Sequence, residues 1–135
     1  QELKQLFEQT KYNDEDISQN NEVIENLIFI SNGSPGKLLD NLEIWNQIPE
    51  KIKNDINIPL KSFENILLLA KNIASNLNLD HQKLLLDYMQ RNWWVKTKDK
   101  RIVDVLETIK NNISTNIQPR TSWEVGLLKI KLDKS

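Results

Sequence analysis

The sequence predicts an all-α protein, and two features of its hydrophobic pattern support this. Apolar residues recur at spacings of three and four in nearly every apolar segment, which is the period of an amphipathic helix. No segment shows the sustained alternation of apolar and polar residues that is typical of strands. Prolines and an Asn-Gly pair separate these segments, as expected at helix boundaries.

The first predicted helix is short, and a second follows a polar interval. Its apolar residues are Leu3, Leu6 and Phe7. The stretch Tyr12 to Asn20 is polar and acidic, so we predict a loop there. Apolar residues then return at helical spacing and predict the second helix; they are Val23, Ile24, Leu27 and Ile28.

The pair Asn32-Gly33 predicts the end of the second helix, because Gly readily adopts the left-handed conformation of a helix end. Ser34-Pro35 predicts the start of a third, since Ser is a good N-cap and Pro fits the first helical position. The predicted buried stripe of this third helix comprises Leu38, Leu39, Leu42 and Trp45.

A unit boundary is predicted near Ile48-Pro49, because a residue before Pro disfavours helix. A short helix is expected over residues 50 to 57, and Pro59 marks another break. The next helix should start near Leu60. Its predicted buried stripe comprises Phe63, Ile66, Ala70, Ile73 and Leu77. Three further leucines, Leu67, Leu68 and Leu69, widen this stripe, so we predict that the helix is buried on more than one side.

Three further helices are predicted toward the C-terminus. Asp80 is the expected cap of the first, which turns Leu85, Tyr88 and Met89 inward and ends at Trp93-Trp94. Asp99 should open the second, with a seam of Ile102, Leu106, Ile109 and Ile113.

After Pro119, the run Thr121-Ser122-Trp123-Glu124 has the pattern of a capping box. The helix it predicts has two apolar faces. One carries Trp123, Leu127 and Ile130, and the other carries Val125, Leu128 and Leu132. Two apolar faces indicate two packing partners, one within the chain and one outside it.

Composition excludes several classes of function. The 135 residues contain no Cys, which rules out disulfides and thiolate metal sites. With 18 basic and 19 acidic residues the formal charge is −1, which argues against a histone-like module. No apolar run approaches the roughly 20 residues of a membrane span. Because the chain begins with Gln1, we interpret it as a piece of a longer protein.

Candidate sites for chemistry are few. Asp14, Asp16, Ser18 and Glu25 have the ligand spacing of an EF-hand calcium loop, but Gln19 occupies the position that needs Gly. A plain acidic loop explains the same residues, and we predict no metal site. The carboxylate pair Glu15/Asp16 lies in the most hydrophilic stretch, where a catalytic pair is not expected. His81 is the only histidine, so we assign it a surface role. The sequence contains no phosphate-binding Gly-rich motif, and we expect no cofactor.

Trp93 and Trp94 precede a group of cations, an arrangement that can hold single-stranded nucleic acid by stacking and charge. The cations are Lys96, Lys98, Lys100 and Arg101. The alternative is that one Trp packs in the core while the cations offset the helix dipole. The first interpretation makes the chain a small nucleic-acid-binding protein, and it remains the alternative function.

Two motifs support a resemblance to a known family. One is Gly33-Ser34-Pro35-Gly36-Lys37-Leu38, between two predicted helices, and the other runs from Asn116 through Pro119-Arg120 to Ile130. Together they resemble the delta-prime subunit of the bacterial DNA polymerase III clamp loader, over essentially the whole chain. Gln118 and Thr121 depart from the family pattern around the C-terminal Pro-Arg pair.

The resemblance implies a small helical AAA+ lid over residues 1–47 and a helical-bundle collar domain over 48–135. It places Gly36 where ATP-hydrolysing relatives carry the Arg that contacts the γ-phosphate, and Lys37 projects about 100° away around the helix. The chain would therefore be non-catalytic. Its partners would be clamp-loader subunits of the gamma/tau and delta types in the bacterial cytoplasm, with DNA contacted only through the complex and no membrane or small-molecule substrate. The collar interface would involve the final helix, namely Trp123, Val125, Leu127, Leu128, Ile130 and Leu132.

Overall fold

The computed structural model describes residues 14–57, 62–115 and 117–133, with side chains described from residue 21 to residue 132 of those ranges. This part of the chain is all helical, and the predicted fold class is confirmed. The helices are α1 (Asp14–Ile30), α2 (Pro35–Gln47), α3 (Glu50–Asp55), α4 (Phe63–Asn76), α5 (Leu79–Thr97), α6 (Lys100–Ser114) and α7 (Pro119–Asp133). The short helix predicted around Leu3, Leu6 and Phe7 lies outside the described residues.

The chain divides into two compact units, residues 1–43 and residues 44–135. The division falls within α2, whereas the sequence prediction placed a boundary near Pro49. The assignment of residues 1–47 and 48–135 to separate domains stays a prediction, and each compact unit is described by itself below.

In the first unit, α1 is longer than predicted. The predicted loop is wrong from Asp14 to Asn20, because helix begins at Asp14 and continues to Ile30. The acidic residues that suggested a loop occupy the first helical turn, where negative charge complements the helix dipole. The same finding contradicts a calcium-binding loop, since its proposed ligands Asp14, Asp16, Ser18 and Glu25 all lie on one continuous helix.

The turn between α1 and α2 follows the prediction. Asn32 and Gly33 have φ values of 53° and 75°, in the left-handed region expected after a helix. The Ser34 hydroxyl then accepts a hydrogen bond from the Lys37 backbone N–H at 3.3 Å, so Ser34 caps α2. The predicted α2 stripe is partly wrong, because Leu38 and Trp45 are buried whereas Leu39 is exposed.

In the second unit, α4, α5, α6 and α7 form a helical bundle. α6 packs against α5 and α7, and α7 also packs against α4. The predicted seam of α6 is buried throughout, as are the predicted inward residues of α5: Ile102, Leu106, Ile109, Ile113, Leu85, Tyr88 and Met89. The end of α3 is tied to α5, where the Trp93 indole N–H donates to the Ile56 carbonyl at 2.7 Å.

Burial of α4 on more than one side is a wrong prediction. One side is buried through Ile66, Leu69, Ala70, Ile73 and the adjoining Leu77. Phe63, Leu67 and Leu68 are exposed. With about 100° between successive residues, a run of four apolar residues cannot lie on one side of a helix. The packed neighbours cover only the side centred on Ile66 and Ile73.

Two predicted helix starts are also wrong. α5 is capped by Asn78, whose side chain accepts from the His81 backbone N–H at 2.8 Å, and Asp80 lies inside the first turn. α7 begins at Pro119, so Thr121 is helical and the predicted capping box does not form. Pro at the first helical position needs no N–H partner, which explains the earlier start. The Asp99 cap of α6 is confirmed, with the Arg101 N–H donating to Oδ1 at 3.0 Å.

Candidate assembly interface

One face of α7 belongs to the core of the second unit. Trp123, Leu127 and Ile130 are buried, with Trp123 fully enclosed. The Trp123 indole N–H donates to Gln82 Oε1 of α5 at 2.9 Å, and the Gln82 amide donates in turn to the Leu77 carbonyl at 3.0 Å. A buried indole requires such an acceptor, so this relay fixes the rotation of α7.

Close packing at Gly126 fixes the same helix against α6. A Cβ atom added at Gly126 would overlap the Ile109 side chain and would lie 3.6 Å from Val105 Cγ1. The absence of a side chain therefore lets α7 approach the buried seam of α6. Gly126 was not predicted as a contact position, although a Gly inside a helical pattern is a signal of close approach.

The opposite face of α7 is apolar and largely exposed. Val125 is 62% exposed and Leu132 is 57% exposed, while Leu128 is half-buried. Large aliphatic side chains grouped on one helix face at such exposure are characteristic of a protein contact surface. The six residues predicted for the interface thus divide into an inward set, Trp123, Leu127 and Ile130, and an outward set, Val125, Leu128 and Leu132.

The Gly33-to-Leu38 motif covers the end of the turn between α1 and α2 and the start of α2, beside hydrogen bonds that join these two helices. The Ser31 hydroxyl donates to the Leu27 carbonyl at 2.7 Å and accepts from the Asn41 amide at 3.0 Å, which joins α1 to α2. Pro35, Gly36 and Lys37 are exposed on the first turn of α2. A Cβ atom added at Gly36 would meet nothing within 4 Å. Space is therefore available at Gly36 for a longer side chain, and this sequence supplies none.

The Trp93-Trp94 segment differs from a stacking platform. Trp93 is buried, so it cannot stack on a base while the fold is intact. Trp94 is partly exposed, and the Lys98 ammonium lies 5.4 Å from the centroid of its ring. Two of the neighbouring cations are engaged within the chain, since Lys96 donates to Asn57 at 2.9 Å and Arg101 lies 3.6 Å from Asp99.

Polar groups elsewhere form small local networks. His81 Nε2 lies 2.7 Å from Gln47 Oε1, a hydrogen bond at the surface of the second unit. Lys110 of α6 contacts Asp87 Oδ1 at 2.8 Å and Glu107 Oε1 at 3.3 Å. Partial burial alone would lower the pKa of Lys110, but its hydrogen bonds and attraction to Asp87 and Glu107 raise it. The described side chains contain no group of three metal-ligating residues.

Comparison with known proteins finds a family whose model covers nearly the whole chain. The family described as cyanobacterial DNA polymerase III delta prime, C-terminal domain, matches residues 1–130. The chain belongs to this family. The resemblance that the two sequence motifs indicated is therefore confirmed, and the chain is part of a DNA polymerase III clamp-loader subunit. No curated protein and no solved structure matched the chain.

Within this delta prime domain, the exposed side of α4 is the surface that sequence reasoning missed. Phe63 was predicted as part of the buried stripe, and Leu67 and Leu68 as leucines that widen it, but all three are exposed. The available signal was the excess of apolar residues over what one helix face can hold.

No helix in the described part of the chain meets the length and hydrophobicity needed to cross a bilayer.

Proposed function

We propose that this delta prime domain is a non-catalytic assembly module of the clamp loader, acting in the bacterial cytoplasm during DNA replication. Residues 1–47 serve as an AAA+ lid and residues 48–135 as a collar domain. The collar associates with clamp-loader subunits of the gamma/tau and delta types. The observation that carries this proposal is the division of α7 into a core face and an exposed apolar face, in a chain that belongs to the delta prime family.

Assembly is driven by covering the outward face of α7. Burying Val125, Leu128 and Leu132 against a neighbouring helix removes apolar area from water, at about 25 cal/mol per Å². Part of that gain offsets the loss of translational and rotational freedom on association. The inward residues Trp123 and Leu127 contribute indirectly, because they hold α7 in the orientation that presents its outward face.

The lid supplies structure and not phosphate chemistry. By the resemblance, Gly36 stands where ATP-hydrolysing clamp-loader relatives carry Arg, and glycine offers no charge to a γ-phosphate. Saturable binding of ATP to this chain at micromolar concentration would contradict the proposal, and isothermal titration calorimetry measures it directly. We expect none, and we expect Gly36→Arg to remain inactive because the chain contains no phosphate-binding loop motif.

The assembly test uses Val125→Glu and Leu132→Glu in the clamp loader reconstituted with its gamma/tau-type and delta-type subunits. We expect both variants to melt near the wild-type temperature and to be lost from the complex on size-exclusion chromatography. A charge placed in an apolar interface must be desolvated without a partner, which opposes binding. Val95→Glu, the same substitution at an exposed site on α5, is the matched control and should assemble normally.

A second pair of variants separates assembly from folding. Leu127→Glu and Ile130→Glu place the same charge on the buried face of α7, and we expect them to unfold the chain. If the outward variants unfold it as well, or if they assemble like wild type, α7 is not the collar contact.

A further inference from the structure

Two helices expose apolar side chains on adjoining parts of the second unit. On α4, Phe63 is 50% exposed, Leu67 is 41% exposed and Leu68 is 46% exposed. α4 packs directly against α7, whose outward face carries Val125, Leu128 and Leu132. The two exposed sets therefore belong to one pair of packed helices.

A contact at the surface joins the two sets. The Lys131 ammonium of α7 lies 4.5 Å from the centroid of the Phe63 ring at the start of α4. Leu128 lies one helical turn before Lys131 on the same side of α7, and Leu67 lies one helical turn beyond Phe63 on the same side of α4. Apolar residues of α4 and α7 thus flank Lys131 on both sides. Two such ridges on packed helices fit a third helix laid along them.

Charge around this surface has one prevailing sign. Among the side chains that the structure describes on α4 and α7, the charged ones that accompany the apolar set are Lys71, Lys129, Lys131 and Glu64. Arg120 and Glu124 of α7 pair with each other at 3.2 Å and add no net charge. Within this described set, three lysines and one carboxylate lie beside the apolar residues, so the described charge there is positive. A partner surface with carboxylates around an apolar stripe complements it.

The same charge argues against a second copy of this chain as the occupant. A two-fold contact places the same patch on both sides of the interface. The lysines around the patch on one copy would then lie close to the lysines around the patch on the other. Like charges brought together at an interface oppose association, so a different chain fits this surface better.

We propose that α4 and α7 form one continuous docking surface for an amphipathic helix of a neighbouring clamp-loader subunit, with an apolar stripe bordered by Asp and Glu. This inference rests on the proposed assembly function and extends its contact from α7 to α4. Phe63, Leu67 and Leu68 are contact residues of that surface, and Lys129 and Lys131 orient the partner by charge.

The experiment measures binding of the chain to each purified gamma/tau-type and delta-type subunit by calorimetry. Leu67→Glu and Leu68→Glu should weaken binding to the same subunit that Val125→Glu affects, by about tenfold or more. Val95→Glu should bind like wild type. Leu67→Ala and Leu68→Ala retain helix propensity and should weaken binding by a smaller factor in the same direction, with melting curves showing that each variant is folded.

The charge component has its own test. The double variant Lys129→Glu/Lys131→Glu should weaken binding by about tenfold at low salt, and high salt should reduce this difference, because exposed charges are screened. The matched control is Lys51→Glu/Lys100→Glu, two exposed lysines on other helices, which should have little effect.

The outcomes distinguish the two proposals. Loss of binding with Val125→Glu but not with Leu67→Glu or Leu68→Glu overturns the two-helix surface and leaves the assembly function standing. Normal binding by all of these variants overturns both. If the lysine double variant binds the partner subunit with unchanged affinity, the proposal that the partner surface is acidic is wrong. Sedimentation of the chain alone as a dimer that Leu67→Glu dissociates would show a second copy as the occupant.

Discussion

The helices α4 and α6 contain similar apolar seams but differ in what lies outside those seams. On α6, Ile102, Val105, Leu106, Ile109 and Ile113 are all buried, and the remaining residues are mostly polar. On α4 a buried side of the same kind is accompanied by the exposed residues Phe63, Leu67 and Leu68. A helix that serves only the core needs one apolar stripe. The additional apolar residues of α4 therefore indicate a surface that another chain can cover.

The largest difference between the two helices should appear on truncating one leucine in each. Leu106→Ala in α6 removes a fully buried side chain and should lower the free energy of unfolding by about 2–5 kcal/mol. Leu67→Ala in α4 should change it by less than about 1 kcal/mol. Urea denaturation followed by circular dichroism measures both. If both variants lose the same free energy of unfolding, Leu67 is covered in solution and α4 does not differ from α6 in this respect.

The close approach of α7 to α6 provides a second test. Gly126→Ala forces a methyl group into the Ile109 side chain and should cost about 1–3 kcal/mol. Gly36→Ala is the matched control, because a Cβ atom there meets nothing within 4 Å, and it should be neutral or stabilising by up to about 1 kcal/mol. The double variant Gly126→Ala/Ile109→Ala should lose less stability than the sum of its single variants, which would locate the clash.

The N-caps of α6 and α4 should differ by a smaller amount in their contributions to the free energy of unfolding. Asp99 accepts from the Arg101 N–H at 3.0 Å and places a negative charge at the start of α6. Ser62 accepts from the Asn65 N–H at 3.4 Å at the start of α4, a longer and neutral hydrogen bond. We expect Asp99→Ala to cost about 1–2 kcal/mol and Ser62→Ala about 0.5–1 kcal/mol. Asp99→Asn should retain most of the stability, since it keeps the acceptor.

The sequence was sufficient to predict both the start and the buried side of α6, because its apolar period and its N-cap agree. Asp99 is followed by a polar interval and a stripe at helical spacing, so both the start and the buried side could be predicted. α4 was predicted as a helix from its apolar period alone, without its Ser62 cap, and its predicted start near Leu60 precedes the observed start at Phe63. Its exposed side could not be predicted, because an apolar run carries no information on how many neighbours cover it.

The errors at helix starts have a local physical origin. Asn78 and Asp80 are both good caps, and sequence alone does not decide which of two nearby side chains accepts the first free N–H groups. At α7, Pro119 competed with the Thr121 capping pattern, and the fixed φ of proline allowed helix to begin earlier. The two apolar faces of the last helix were predicted from the sequence, but only the packing on α4, α5 and α6 decides which of them is inward.

A polar network between α5 and α6 should make the smallest contribution to stability, and this contribution depends on pH. Gln90 donates to Glu107 Oε1 at 3.0 Å, and this hydrogen bond is the main reason that the pKa of Glu107 is lowered, against a smaller opposing effect of burial. A carboxyl with a lowered pKa in the folded state stabilises the fold above its unfolded pKa. That contribution is lost as pH falls through the folded value.

We therefore expect the network's contribution to decrease as the solution is acidified from about pH 5 downward. Urea denaturation across this range should show a shallower loss of stability for Gln90→Ala than for wild type, because the pKa of Glu107 returns toward its ordinary value. Glu107→Gln removes the titrating group, so the free energy of unfolding should depend on pH even less than in Gln90→Ala. If both variants follow the wild-type pH dependence, Glu107 is not coupled to folding. The contrast between α6 and α4 would then depend on apolar burial and capping alone.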